Sequence, residues 1–240
     1  MSVFLECKKI RRTGFLQAFI GGGILAGAVP VVNMAVRSEI YQTKQGSPLQ
    51  ILLSANWQMM AMLNVLLVVM GACLLYHTEY ADHAMEKMKS LPVREISIFS
   101  GKVILTILMS LLVLAIEAGA TAFCAYYWFE ARNGFWEELG RNFGYAFLLM
   151  LPCLVLSMFI SEACKNMWIS LGIGVICVFT ATMLPTDNFA LSLFPFATPF
   201  QMFTDTDLAQ VTRYIYAAAA ETFVFGLAEL LLIKIRRSFA

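Results

Sequence analysis

Six apolar runs, each long enough to cross a bilayer as a helix, take up most of this chain and decide what it can fold into. They lie at about 14–36, 51–76, 101–129, 142–161, 167–184 and 214–233. A helix needs roughly 20 such residues to cross roughly 30 Å of hydrocarbon. Hydrophobic residues make up 60% of the 240 and charged ones only 14%, with a mean hydropathy of +0.73, outside the range of a soluble domain. The expected fold is therefore all-α: a single polytopic membrane domain over residues 1–240 with six transmembrane helices. These spans nearly exhaust the length, and no soluble catalytic domain is expected beside them. A net charge of +1 points to neither a nucleic acid nor an acidic partner.

Cys7, Cys73, Cys124, Cys153, Cys164 and Cys177 are scattered, mostly within apolar runs and with no C-x-x-C, and read as small buried hydrophobes. Residues 1–12 form a basic amphipathic segment with Lys8, Lys9, Arg11 and Arg12 ahead of Ala26-Gly27-Ala28, an arrangement that imitates a signal peptide. The apolar run continues past that point to Val36, so an uncleaved first span is expected. With the N-terminus in the cytoplasm, the inner segments hold 12 of the 17 lysines and arginines, among them Lys87, Lys89, Arg94, Lys102, Lys165 and Lys234. The positive-inside bias thus predicts both termini and the 77–100 segment on the cytoplasmic side.

Residues 185–213 carry Pro185, Pro195 and Pro199 in an aromatic, apolar stretch. Proline interrupts the helix ladder, and backbone left unpaired at membrane depth must be covered by protein. Both a re-entrant pair of short helices before the sixth span and an aromatic loop lying on the surface fit this pattern. On the first span, Ala18, Gly22 and Ala26 recur every four residues beside Gly23 and Gly27. Small residues let helix backbones approach closely in lipid. Gly22, Gly23, Ala26 and Gly27 are expected at a subunit interface or a hinge, or else in packing within the chain.

The polar segment between the second and third spans reads HTEYADHAMEKMKSLPVREISIFS, from His77 to Ser100. From Glu79 it can form an amphipathic helix with Tyr80, Ala84, Met88 and Leu91 on one face and Asp82, Glu86 and Lys89 elsewhere. Pro92 ends it. The chain then turns through Val93-Arg94-Glu95, and Gly101-Lys102 marks the start of the third span. Such a helix either meets another polypeptide or rests in the headgroups with no partner.

Glu79, Leu91-Pro92-Val93, Arg94 and Gly101-Lys102, set between spans two and three, resemble the permeases of type-2 ATP-binding-cassette exporters. The resemblance extends over nearly the whole chain, through the basic N-terminus, six spans and the broken apolar segment before the last. It implies that 77–100 is the coupling helix, with Glu79, Tyr80, Ala84, Met88, Leu91, Pro92 and Arg94 docking on a cytoplasmic ATPase subunit present in two copies. ATP and Mg would be bound by that partner and no cofactor by this chain. A second permease subunit, identical or related, would complete the path. The compact size and Met-rich hinge look most like the permease subunits of lantibiotic (bacteriocin) immunity exporters of Gram-positive bacteria, which implies a bacterial plasma membrane and a lantibiotic cargo. One departure is Asp82-His83-Ala84, where many relatives carry a Gly-Thr pair.

The chain is not expected to be an enzyme. Its Gly101-Lys102 is followed by Val103, and Ile96 stands where a Walker A motif needs glycine. Neither H-E-x-x-H, G-x-S-x-G nor a metal-ligand spacing occurs. Three acids lie within spans: Glu117, Glu221 and Glu229. A helix-centre acid costs about 2.5–3.5 kcal/mol on insertion scales, so each should face protein or water. Glu117 and Glu221 are candidates to line a path for a cationic or amphipathic substrate. The other reading has Glu117 bonded to Asn64 or Gln58 and Glu229 snorkelling to the inner headgroups. Tyr126, Tyr127, Trp128, Phe129, Phe135 and Trp136 form an interfacial belt. Rival functions are export of another hydrophobic cargo (a drug, lipid or polysaccharide precursor) and a non-transporting sensor or scaffold.

Overall fold

The structure, a computed structural model, describes residues 13–80, 95–129, 134–164, 166–184, 188–204 and 206–238. In order they form α1 (Phe15–Gln42), α2 (Pro48–Tyr80), α3 (Glu95–Trp128), α4 (Phe135–Ala163), α5 (Met167–Met183), the one-turn α6 (Phe189–Ser192), a 3₁₀ turn (Thr198–Phe200) and α7 (Leu208–Ser238). No strand occurs among the described residues. Helix is what an apolar chain must form in lipid, because it pairs every backbone N–H and C=O inside the segment.

Five of these helices, α1 to α4 and α7, are long and apolar enough to cross a membrane. The fifth apolar run forms α5 within one residue of its expected bounds, but at 17 residues, or about 25 Å at 1.5 Å per residue, it is short for a span. Its ends are fixed chemically. Asn166 caps the start by accepting from the backbone N–H of Trp168 at 2.9 Å. Leu184, the residue before Pro185, is already extended at φ −72°, ψ 135°.

The other helices overrun their apolar stretches. α1 bends at Arg37 (φ −132°, ψ 29°) but continues to Gln42. α3 is already helical at Glu95, so Gly101-Lys102 lies inside it and does not mark its start. α4 begins at Phe135 and α7 at Leu208, ahead of the runs that mark them. Hydropathy detects only the length that faces lipid, whereas the backbone ladder continues through polar helix-forming ends.

α2 is the hub, packed against α1, α3, α4 and α5. Of its most apolar stretch 67% is buried, against 11% for α7, which packs mainly on α4 at the periphery. The outer faces are as apolar as the core: Ile24, Leu25, Val32, Leu108, Ile176, Phe223 and Leu231 all point outward. Such a surface needs lipid around it.

The small-residue stripe of α1 packs within the chain. A Cβ on Gly23 would meet Ile116 and Val113 of α3 at 3.2 and 3.3 Å, and one on Gly27 would meet Ala120 and Ile116 at 3.4 Å. One on Gly22 would strike Leu67 of α2 at 2.3 Å. Ala26 beside them is fully buried. Gly71 of α2 returns the contact, since its Cβ would fall 2.6 Å from the ring of the buried Phe19.

Residues 188–204 are seated among the helices, not spread over them. Trp57 Nε1 donates to the Pro199 carbonyl at 3.2 Å. Thr198 Oγ1 donates to the carbonyls of Leu149 and Pro195 at 3.0 and 3.1 Å. Ser192 Oγ and the Tyr214 hydroxyl share a 2.7 Å hydrogen bond, and Phe196 between them is fully buried. These bonds cover the backbone that the prolines leave unpaired.

Gly71→Ala is expected to lower stability by about 1–3 kcal/mol, the usual cost of overpacking a filled contact. Gly21→Ala, where nothing lies within 4 Å of the new Cβ, is expected not to lower it and to raise it by up to about 1 kcal/mol, the helix penalty of glycine. Unfolding of the detergent-solubilised protein measures both.

Candidate functional site

One face of α3 is polar through most of its length. Lys102, Thr106, Ser110, Glu117 and Thr121 recur at helical spacing, and none is more than 2% exposed. Thr106 and Thr121 donate back to the carbonyls of Lys102 and Glu117, at 3.0 and 2.8 Å, the usual way a hydroxyl is accommodated on a buried helix. Partners from other helices meet this face at two levels.

At mid-bundle, Asn64 Nδ2 of α2 donates to Glu117 Oε2 at 2.9 Å. Asn64 is 5% exposed and Glu117 not at all. Of the two partners the sequence offered, the structure selects Asn64; Gln58 lies on the exposed face of α2.

At the end of the bundle that adjoins residues 81–94, Lys102 Nζ sits 3.7 Å from the centroid of the Tyr76 ring, and the Tyr76 hydroxyl donates to Glu162 Oε2 at 3.0 Å. Cation, ring and carboxylate come from α3, α2 and α4. Beside them Cys73 Sγ lies 3.6 Å from Ser161 Oγ and 3.3 Å from Ser170 Oγ. The two serines are 2.9 Å apart, which adds α5. A buried charge on its own is costly; a cation over an aromatic face joined to a carboxylate offsets that cost and fixes the helices that carry it. The sequence placed Lys102 among the cations of the inner segments, at the start of the third span, and did not set Tyr76 or Glu162 beside it. The one available signal was Glu162 itself, an acid at the end of an apolar run.

A smaller polar group joins α1 to α2: Asn33 Nδ2 donates to Asn56 Oδ1 at 2.7 Å and to the Tyr41 hydroxyl at 3.1 Å. Glu221 of α7 is partly exposed, and its Oε2 makes no hydrogen bond among the described residues. Glu229 is fully buried, so the expected snorkelling to the headgroups is not what the helix does. A groove of about 570 Å³ runs between α4 and α7 and ends at Phe99, lined by Leu148, Leu151, Ile215, Thr222 and Phe223. It is almost wholly apolar and separate from the polar face of α3.

Glu79 and Tyr80 occupy the last turn of α2. Ala84, Met88, Leu91, Pro92 and Arg94, with the amphipathic segment 1–12, lie outside the described residues. Cys73, Cys124 and Cys153 are buried, Cys164 and Cys177 half-buried, and all five are free thiols. Tyr126, Tyr127 and Trp136 project from the ends of α3 and α4 as an exposed aromatic cluster. No group of His, Cys, Asp and Glu able to hold a metal occurs among the described residues.

A helical bundle with an apolar outer surface, five helices long enough to span and buried polar contacts at three levels is a multi-pass membrane protein. The model of the ABC-2 family transporter proteins matches residues 2–181 of the 240, and the chain belongs to that family. It is thus a membrane subunit of an ATP-binding-cassette exporter, of the kind that works with a cytoplasmic ATPase subunit. No curated protein and no solved structure matches it.

Tyr76→Phe and Glu162→Ala are expected to destabilise non-additively, with a coupling of about 0.5–3 kcal/mol, because each removes the same hydrogen bond. A double-mutant cycle on unfolding in mixed micelles measures it, and strict additivity would mean that the contact contributes nothing.

Proposed function

We propose that this chain is the membrane half of an exporter driven by a separate ATPase that docks on residues 79–91, and that its cargo is an amphipathic antimicrobial peptide of the lantibiotic class. The observation that carries the reading is the family match, which spans the 77–100 segment together with α1 to α5. The chain has no Walker A motif of its own, so the energy enters from a partner.

The fold supplies a route for that energy. α2 and α3, on either side of 81–94, are helices of 33 and 34 residues. Their inner ends are tied to each other and to α4 through Lys102, Tyr76 and Glu162. A displacement applied between them is therefore delivered to three helices at once. α7, attached mainly to α4, presents Glu221 and an apolar groove at the periphery; there the cargo or a second permease subunit, identical or related, would meet it. The distribution of lysine and arginine supports cytoplasmic termini. On that orientation the 188–204 pair of short helices enters the outer leaflet. Its contacts on Trp57 and Leu149 lie six or seven residues inside the apolar runs, roughly 10 Å deep.

A second reading, export of another hydrophobic cargo such as a lipid or drug, is favoured by the apolar lining of the α4–α7 groove.

Purified from its native membrane in mild detergent, the wild-type chain is expected to bring an ATP-binding-cassette ATPase with it. Glu79→Ala combined with Met88→Asp should lose that subunit while still reaching the membrane. Retention by the double variant would refute docking on 79–91, and a wild type that carries no ATPase would refute the assembly. Cells making the complex should survive a lantibiotic dose that kills cells without it; equal sensitivity at equal expression leaves only the second reading.

A further inference from the structure

The Asn64–Glu117 contact is incomplete as drawn by its one hydrogen bond. Asn64 Nδ2 donates to Glu117 Oε2, which leaves Asn64 Oδ1 and Glu117 Oε1 as acceptors, and neither receives a donor among the described residues. Both side chains are more than nine-tenths buried. The two unsatisfied oxygens belong to the very groups that the hydrogen bond already joins.

The surroundings supply no counter-charge. Neither α1 from Phe15 to Val36 nor α2 from Pro48 to Tyr76 contains a charged residue. α4 carries Glu137, Glu138 and Arg141 near its start and Glu162 at its end, with Arg141 held by Glu137. On α3 itself Lys102 is fifteen residues from Glu117, roughly 22 Å along the helix axis. α7, which touches α3 only lightly, carries Arg213, Glu221, Glu229, Lys234, Arg236 and Arg237. Among the described residues Glu117 has no ion pair. A metal cation would require more oxygen ligands than the two on offer.

One hydrogen ion completes the site. With an O–H on Oε1, the carboxyl can donate to Asn64 Oδ1 while Asn64 donates to Oε2, the reciprocal pairing of an acid with an amide, and every polar atom of the two groups is satisfied. We propose that Asn64 and Glu117 form a binding site for a single proton in the seam between α2 and α3. The step is the addition of H⁺ to a carboxylate oxygen, with one O–H bond formed and no change of oxidation state. Because the site is sealed from solvent, the proton is taken up or released only when α2 and α3 part. This goes beyond the exporter reading and does not depend on it, since the chain alone contains both residues.

Infrared spectroscopy of the purified protein in lipid nanodiscs tests it. The wild-type minus Glu117→Gln difference spectrum at neutral pH should show the carbonyl stretch of a protonated carboxylic acid, shifting when D₂O exchange is forced by partial unfolding and refolding. Glu117→Gln itself should fold normally, because its amide reproduces both hydrogen bonds. A difference spectrum that shows the paired bands of a carboxylate would overturn the proposal, whether water or an ion then filled the site. Should Glu117→Gln fail to fold, Asn64→Leu decides: the acid band should move to higher wavenumber as its O–H loses the amide acceptor, and an unmoved band refutes the site.

Discussion

Lipid cannot solvate a polar group, and nearly every specific contact in this protein follows from that. In water the Tyr76 hydroxyl, the Asn64 amide and the Lys102 ammonium would be satisfied anywhere. Inside hydrocarbon they are satisfied only where a neighbouring helix offers a partner at the same depth. The pairings Asn33–Asn56, Asn64–Glu117 and Lys102–Tyr76–Glu162 therefore act as register marks that fix how far each helix stands along its neighbours. Between these levels the packing is left to small residues and apolar side chains, which set distance but tolerate sliding. Gly22, Gly23 and Gly27 bring α1 against α2 and α3, while the polar pairs decide where.

α2 takes part in all three levels, which explains why it is the most buried of the spanning helices. It also runs directly into residues 81–94, so the helix with the greatest number of fixed contacts is the one nearest to where a partner would push. α7 is the opposite case. It shares its packing chiefly with α4, holds a partly exposed carboxyl and borders an apolar groove, and touches little else. A bundle with one rigid side and one loosely attached helix can change shape without breaking its core contacts.

Much of this was legible in the residues. The apolar runs located the helices because length and hydropathy are intrinsic to each segment. Asn64 and Gln58 were both offered as partners for Glu117 by the sequence, and the structure joins Asn64 to it. The prolines at 195 and 199 marked a broken segment, and the structure supplies the cover such a segment needs through Trp57 and Thr198. What hydropathy could not reveal was lateral position. Lys102, Tyr76 and Glu162 are 26, 60 and 86 residues apart taken pairwise, and no pattern within a single run shows that three helix ends converge. Glu229 was misread for the same reason: its nearness to the end of the span suggested escape to the headgroups, whereas its helix face points inward. Helix ends were misplaced because hydrocarbon stops before the hydrogen-bond ladder does.

The brevity of α5 has a consequence for the bilayer itself. It is a 17-residue cylinder beside neighbours of 33 and 29 residues, α2 and α4, and Trp168, Ile176, Phe179 and Met183 along it face outward. Acyl chains touching that flank must compress to match it, since each ångström of mismatch carries an energetic cost. The protein thereby wears a thinned notch on one side only. Lipids with shorter acyl chains match a flank of that length at lower cost.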